Sequence, residues 1–358
     1  MDINELLSLS VVKRASDLHI LPNAPPVLRI DGDLILAEDF PLLDADTTKR
    51  LVYSLMSKQQ QNIFENQMEL DFTVLGDPSL ADFRVNAFHQ IDGVAAAFRV
   101  IPREIPTLDQ LDSPQIMKDL LGLSSGLILI TGPTGCGKST TQAAMINHIN
   151  MHEACNIITI EDPIEFIHKR NKSIINQRQV HRDTVNFSSA LRSALREDPD
   201  ILLVGEMRDL ETVRLTLTAA ETGHLVMATL HTSSAPRAIS RIIDVFPAGE
   251  KNIIRNMMSE SIQAVICQTL LKKIGGGRVA AYEIMIGTPA IRNLIREDKI
   301  AHMYSVIQTS RKMGMLTMEQ SFQELLSKNI INAESAHESG YQRELFEQSL
   351  TAGEQKQT

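Results

Sequence analysis

A chain of 358 residues exceeds what one hydrophobic core usually organises, and 43% hydrophobic residues supply enough material for two. A net charge of -9 gives no global field for a phosphate backbone, which argues against a nucleic-acid partner; the basic run HKRNK at 168–172 reads as a solvated loop. Cys136, Cys155 and Cys267 form no C-x-x-C pair, no apolar run approaches the roughly 18 residues of a membrane span, and Asp2 and Glu5 stand where a signal peptide would be positive, so a reduced, cytosolic protein without a thiolate zinc site is expected.

Residues 1–101 read as a small α+β domain. Apolar stretches flank Asp31-Gly32 and again Asp92-Gly93, pairs that supply the positive φ angles of tight hairpins. Between them Leu51, Val52, Leu55 and Met56 fall at helical spacing, which predicts helices on one face of a sheet. Residues 102–116, with prolines at 102, 106 and 114 and no apolar period, read as a linker.

From 117 to 358 short apolar runs alternate with helical patterns. The runs at 126–131, 156–160, 201–205, 225–230 and 279–285 are continuous, as in strands of a parallel sheet covered on both faces. Between the third and fourth, Asp209 is placed as a helix cap, Leu210, Val213, Leu217 and Ala220 as the apolar stripe, and Gly223 as the stop. The fold class is α/β, doubly wound in this part, with helices near the end and a polar tail, 351–358, expected to fray.

GPTGCGKST occupies 132–140 after the first buried run and before a helical pattern, and fits G-x-x-x-x-G-K-[ST]. The loop from Gly132 through Pro133, Thr134, Gly135, Cys136 and Gly137 to Thr140 can cradle phosphates with the backbone N–H groups of its non-proline residues; Lys138 would reach the β and γ oxygens and Ser139 would ligate Mg²⁺. ATP is favoured over GTP because the guanine-reading N-K-x-D element is missing; NKSI at 171–174 lacks its Asp. Hydrolysis needs acids at neighbouring strand ends, and Glu161 and Glu206 are placed there, Glu206 after a wholly apolar strand. His224 opens the fourth run and His231 closes it at the catalytic edge, where a histidine can hydrogen-bond a γ-phosphate, although a lone histidine is more often structural. His148 and His152 lie one helical turn apart without further clustered ligands. The arginine that such a site needs could come from Arg192, Arg196, Arg208, or from Arg84, Arg99 and Arg103 in the first domain.

Together GPTGCGKST, ITIEDPIEF, SALREDPDILLVGEMRD and TAAETGHLVMATLHTSSA resemble, in order and spacing, the Walker A, aspartate, Walker B and histidine boxes of the secretion-ATPase superfamily, as does ASDLHI near the start. GTPAIRNLIREDK at 287–299 resembles the signature of its pilus-retraction branch, and the stretch from Cys267 to Met285 lacks the tetracysteine insertion usual in extension and type II secretion motors. The resemblance implies a PAS-like N-terminal domain and a RecA-like ATPase domain, in a homohexamer at the cytoplasmic face of the inner membrane. The ring would use ATP and Mg²⁺ to turn a pilus platform protein so that pilin leaves the fibre. In that scheme Glu161 activates water, Glu206 orders Mg²⁺ through water, and His224 and His231 are the box histidines. Arg84, Arg99 and Arg103 become the candidates for closing a domain or a neighbouring subunit over the phosphates. Ala290, Ile291, Arg292, Asn293, Leu294, Ile295, Arg296 and Glu297 couple the ring to retraction, although by their own pattern they read equally as a core helix, capped by Thr288 and Pro289, with solvated arginines. An accessory retraction paralogue and a hexameric nucleic-acid translocase are the alternatives. Cys136 replaces the family's usual Ser and is expected to be tolerated and oxidisable.

Overall fold

The computed structural model describes residues 1–74, 76 and 81–338; the tail at 351–358 lies outside them. The chain divides into two compact units, Met1–Glu104 and Ile105–Thr358.

The first unit contains α1 (Ile3–Val12), β1 (Asp17–Ile20), β2 (Val27–Ile30), β3 (Asp33–Leu36), α2 (Ala45–Tyr53), α3 (Lys58–Gln67), β4 (Glu69–Val74), β5 (Asp82–Gln90) and β6 (Gly93–Ile101). Its strands form one antiparallel sheet ordered β3-β2-β1-β6-β5-β4. Buried Phe83, Val85 and Ala87 alternate along β5 with half-buried neighbours, so one face carries the core, shared with Leu6, Leu18, Phe64 and Phe98. Asp31 and Gly32 both take positive φ at the β2–β3 turn, as the hairpin requires. At the second hairpin only Gly93 does, because Gln90 pairs with Gly93 and the turn residues are Ile91 and Asp92. The helical stretch is broken at 54–57, where Ser57 starts α3 with a capping box to Gln60.

The second unit contains α4 (Gln115–Leu121), β7 (Gly126–Thr131), α5 (Lys138–His152), β8 (Asn156–Glu161), β9 (Ile174–Gln179), α6 (Phe187–Ala194), β10 (Ile201–Val204), α7 (Leu210–Glu221) and β11 (Leu225–Leu230). There follow α8 (Ala235–Asp244), α9 (Lys251–Ser261), β12 (Ile262–Lys272), β13 (Arg278–Ile286), α10 (Pro289–Arg296), α11 (Met303–Thr309), α12 (Met318–Ser327) and α13 (Ala333–Glu338). Its sheet runs β13-β12-β7-β11-β10-β8-β9, parallel from β12 to β9. Leu127 and Leu129 of β7 enter the core on one face while Ile128 and Ile130 enter the core on the other, which explains the unbroken apolar run.

Three features depart from the sequence reading. The 279–285 run is not a parallel strand: β13 pairs antiparallel with β12, reached by a turn in which Gly275, Gly276 and Gly277 all take positive φ. β9 and β12 were not expected, because Asn176, Gln177 and Gln179 in one and Gln263 and Gln268 in the other interrupt the apolar pattern. The proline-rich stretch is not slack throughout, since Leu108 is buried with Met117 and Leu121 against the second sheet. By contrast α7 forms as its residues dictate: the Asp209 carboxylate accepts from the N–H of Thr212, Val213 and Leu217 are buried, and Gly223 takes φ 106°.

Candidate active site

The buried strand β7 runs into Gly132, whose φ is 145°. A Cβ there would collide with the carbonyl oxygen of Gln268 and the thiol of Cys136, so only glycine fits. Gly137 caps α5 without a side-chain acceptor, leaving the first-turn N–H groups of a 15-residue helix to an external anion. Lys138 Nζ is folded back onto the carbonyls of Gly132 (2.8 Å) and Pro133 (3.0 Å). Pro133, Thr134 and Gly135 are exposed, and Ser139 and Thr140 are half-buried in the first turn of α5.

Beneath the loop lies a residue that sequence reasoning missed. The buried amide of Gln268, on β12, donates to the Cys136 carbonyl (2.7 Å) and accepts from the Thr141 hydroxyl (2.8 Å), fixing the loop to the sheet. A glutamine inside an apolar run was its only sequence signal. Cys136 itself is buried, and burial pushes its thiol pKa up despite the nearby Lys138 charge. The expected oxidisable thiol is therefore corrected: little thiolate forms, and solvent barely reaches it.

Glu161 ends β8 and Glu206 follows β10. Gly205 lets these strand ends close up, since a Cβ there would sit 3.0 Å from the Ile160 carbonyl and 3.2 Å from Cα of Glu161. The Glu206 carboxylate lies between Arg208 (2.6 Å) and Nε2 of His231 (3.2 Å), whose Nδ1 is 3.4 Å from Lys138 Nζ. An ammonium can only donate, so Nδ1 accepts and Nε2 carries the proton that faces Glu206. Burial alone would raise the Glu206 pKa, but the hydrogen bonds from Arg208 and His231 and the Arg208 charge outweigh it and leave it below the ordinary value. At Glu161 burial prevails over hydrogen bonds from the Thr159 hydroxyl (2.6 Å) and Gln177 (3.2 Å), and the pKa is raised. The pKa values of the two carboxylates on adjacent strand ends are thus driven apart, Glu206 down and Glu161 up.

The carboxyl ends of β7, β8, β10 and β11 therefore bring together the 132–140 loop, Glu161, Glu206 and His231. His224 is not among them. It precedes β11 at the opposite edge, its Nδ1 on the Ala219 carbonyl (2.9 Å) at the end of α7, and a six-residue strand, about 20 Å, separates it from His231. The sequence reading groups His224 with His231 as a catalytic box histidine, and strand direction corrects that by placing the two at opposite ends of β11. Arg192 pairs with Glu211, whereas Arg208 is the arginine held at Glu206.

In the first unit Arg84 and Arg99 face each other across β5 and β6, a like-charge pair offset by Asp71 (3.9 Å) and Asp17 (3.1 Å). Arg103 bonds Asp82 (2.6 Å) and the Gly76 carbonyl (2.9 Å). The rings of His148 and His152 lie 4.3 Å apart and tilted by 33°, and among the described residues no three His, Cys, Asp or Glu side chains cluster as a metal cage.

Residues 290–297 form α10 and its end. Thr288 caps it and Ile291 and Ile295 are buried, but Arg292 is not a solvated arginine. Its guanidinium donates to the carbonyls of Gly287 (2.7 Å), Ser259 (2.9 Å) and Glu260 and to the Gln263 side chain (3.2 Å), tying α10 to the end of α9 and the start of β12. Arg296 reaches Ser259 (3.2 Å) and Glu260 (3.3 Å). Arg292→Ala is expected to lower stability by about 1–3 kcal/mol, with Lys restoring only part because it lacks the planar fork. Equal thermal midpoints for the native and Ala proteins would refute this.

The profile of the family described as type II/IV secretion system protein matches residues 1–338. The chain is 56% identical over 338 residues to the type IV pilus retraction ATPase PilT of Pseudomonas aeruginosa, covering 94% of this chain and 98% of that one. It is 50% identical over 335 residues to a twitching motility protein of Neisseria gonorrhoeae, covering 93% and 89%. A crystal structure of the pilus retraction motor PilT with bound ADP superposes with a TM-score of 0.84 at 47% identity, covering 97% of this chain and 99% of that chain. The chain belongs to the type II/IV secretion system protein family.

Proposed function

We propose that this protein is an ATP-hydrolysing motor that drives type IV pilus retraction and hence twitching motility. The observation that carries the reading is the chain of contacts Lys138–His231–Glu206–Arg208 beside the phosphate loop, in a protein 56% identical to PilT over nearly its whole length.

The glycine-only cradle and open helix end suit a triphosphate, and the donor set suits a cation that arrives with it: Ser139 directly and Glu206 through water. Mg²⁺ held there would supply positive charge to offset that of the phosphates. Lys138 exchanges the loop carbonyls for the β and γ oxygens. Glu161, its pKa raised, accepts the proton of the attacking water. His231, hydrogen-bonded to both Lys138 and Glu206, meets the γ-phosphate and registers its departure. Arg84, Arg99 and Arg103 are the first unit's candidate phosphate contacts, and His224 serves the α7 end instead.

The first unit is the PAS-like module of this reading and the second the RecA-like ATPase. The working form is a homohexamer at the cytoplasmic face of the inner membrane, acting on the platform protein at the pilus base, with pilin as the indirect cargo and no nucleic acid. Among the described residues no helix is long and apolar enough to cross a membrane, which fits peripheral attachment. The segment 290–297 couples ring motion to the pilus base through the Arg292 junction. Deleting the gene tests the direction of the motor: cells with abundant surface pili and no twitching are expected, and bald cells would overturn retraction.

A further inference from the structure

The loop after β8, residues 162–173, is held to the edge strand β9 by two glutamines. Gln179 accepts from the N–H of Ile164 (3.3 Å). Gln177 does more: its Nε2 donates to Glu161 Oε1 (3.2 Å) and to the Phe166 carbonyl (2.8 Å), and its Oε1 accepts from the N–H of His168 (2.9 Å). The sense of this amide is set by its partners. A backbone N–H can only donate, so oxygen must face His168, and the two acceptors must then receive NH₂. A flipped amide would oppose like to like at all three contacts.

The Gln177 hydrogen bond and that of the Thr159 hydroxyl converge on one oxygen, Oε1 of Glu161. The rotation of the carboxylate is therefore set from β8 and β9 before any substrate binds. We infer that Gln177 is the positioning residue of the hydrolytic carboxylate: it orients Glu161, favours its ionised form, and joins it to the loop through Phe166 and His168. This rests on the reading of Glu161 as the proton acceptor. The other groups around Glu161 pull in known directions. Burial and the Glu165 charge disfavour its ionisation, the Glu165 N–H and Thr159 favour it, and on the neighbouring strand end Glu206 is already paired with Arg208 and His231. Losing the Gln177 donor leaves burial less opposed, so the pKa of Glu161 rises.

The test is kcat and KM for ATP against pH in the purified full chain. Gln177→Met, which keeps bulk and loses the donor, is expected to lower kcat at neutral pH roughly tenfold with KM within about twofold, and to move the acid limb of kcat to higher pH. Gln177→Glu, isosteric but adding like charge, moves that limb further and serves if the Met protein does not fold. Adding Gln177→Met to Glu161→Gln should lower the residual turnover no further, since both changes act through one group. An unmoved acid limb, or losses that simply add, would overturn the positioning role. Native turnover in Glu161→Gln alone would instead sink the assignment of Glu161, an outcome distinct from an inactive Glu161→Gln beside an unaffected Gln177→Met.

Discussion

Glu206→Ala is expected to lose ATP turnover, by about a hundredfold or more, while the purified protein still binds nucleotide. The reason is where this carboxylate sits. It accepts from Arg208 and from His231, and His231 also faces Lys138, so one substitution removes the carboxylate proposed to order Mg²⁺ and releases two cationic or polar groups from their positions. Nucleotide binding survives because the cradle is built from the glycine loop, the α5 N-terminus and Gln268, none of which touches Glu206. Lys138→Ala should differ in kind, weakening binding as well as turnover. The pH profile separates the two acids. Glu206, with its pKa lowered, stays ionised to lower pH than an ordinary glutamate, whereas Glu161, with its pKa raised, protonates at higher pH, so with Glu161 as the proposed proton acceptor activity is expected to fall on the acid side at a higher pH than an ordinary glutamate would give. Isotopic or coupled-assay phosphate release, with nucleotide binding followed in parallel, is the measurement; native rates from Glu206→Ala would remove it from the site.

The second large effect lies in stability. Glu283 of β13 is 1% exposed, its Oε1 accepts from the N–H of Ala235 (2.7 Å), and Oε2 has no hydrogen-bond partner among the described residues. Burial pushes its pKa from 4.5 to about 7. The folded chain keeps this proton at pH values where the unfolded chain has released it, so this carboxyl's contribution to stability is full below pH 4.5 and falls by about 3 kcal/mol as pH rises through about 7. Glu283→Gln keeps an acceptor for Ala235 and removes the titration, so denaturation midpoints should change less between pH 5.5 and 8 than in the native protein. Parallel slopes would refute the assignment. The carboxyl has a place in the site's architecture. Ala235 opens α8 just after His231, and the Thr131 hydroxyl grips the same segment at Thr232 through its N–H (2.9 Å) and carbonyl (2.7 Å). The loop that presents His231 is thus clamped from β7 and β13.

Much of the site was legible because its constraints are local. A phosphate loop needs glycines at positive φ, and 132–137 contains them; α7 and α10 need caps at fixed offsets, and Asp209 and Thr288 stand there. The acids at the ends of β8 and β10 followed from one apolar run stopping at a charge. What was missed shares a different cause. Gln268 meets Thr141 and Cys136 at separations of 127 and 132 residues, and Gln177 meets Glu161 only because β9 lies beside β8. In sequence each is a polar residue that spoils a strand pattern; in the fold each completes a hydrogen-bond set.

The chain by itself thus determined the family, the phosphate loop, the helix caps and which strand ends carry acids, since each depends on residues close in sequence. Only the tertiary structure decided which of those groups meet. Parallel strand direction puts His231 at the phosphate edge and His224 at the other, and an antiparallel β13 brings Glu283 to α8. Arg292 has carbonyls of α9 to hold only because α10 lies against that helix's end. Burial, a property of the packed whole, then sends the pKa of Glu161 up while ion pairing sends that of Glu206 down, and no pattern of neighbouring residues contains that difference.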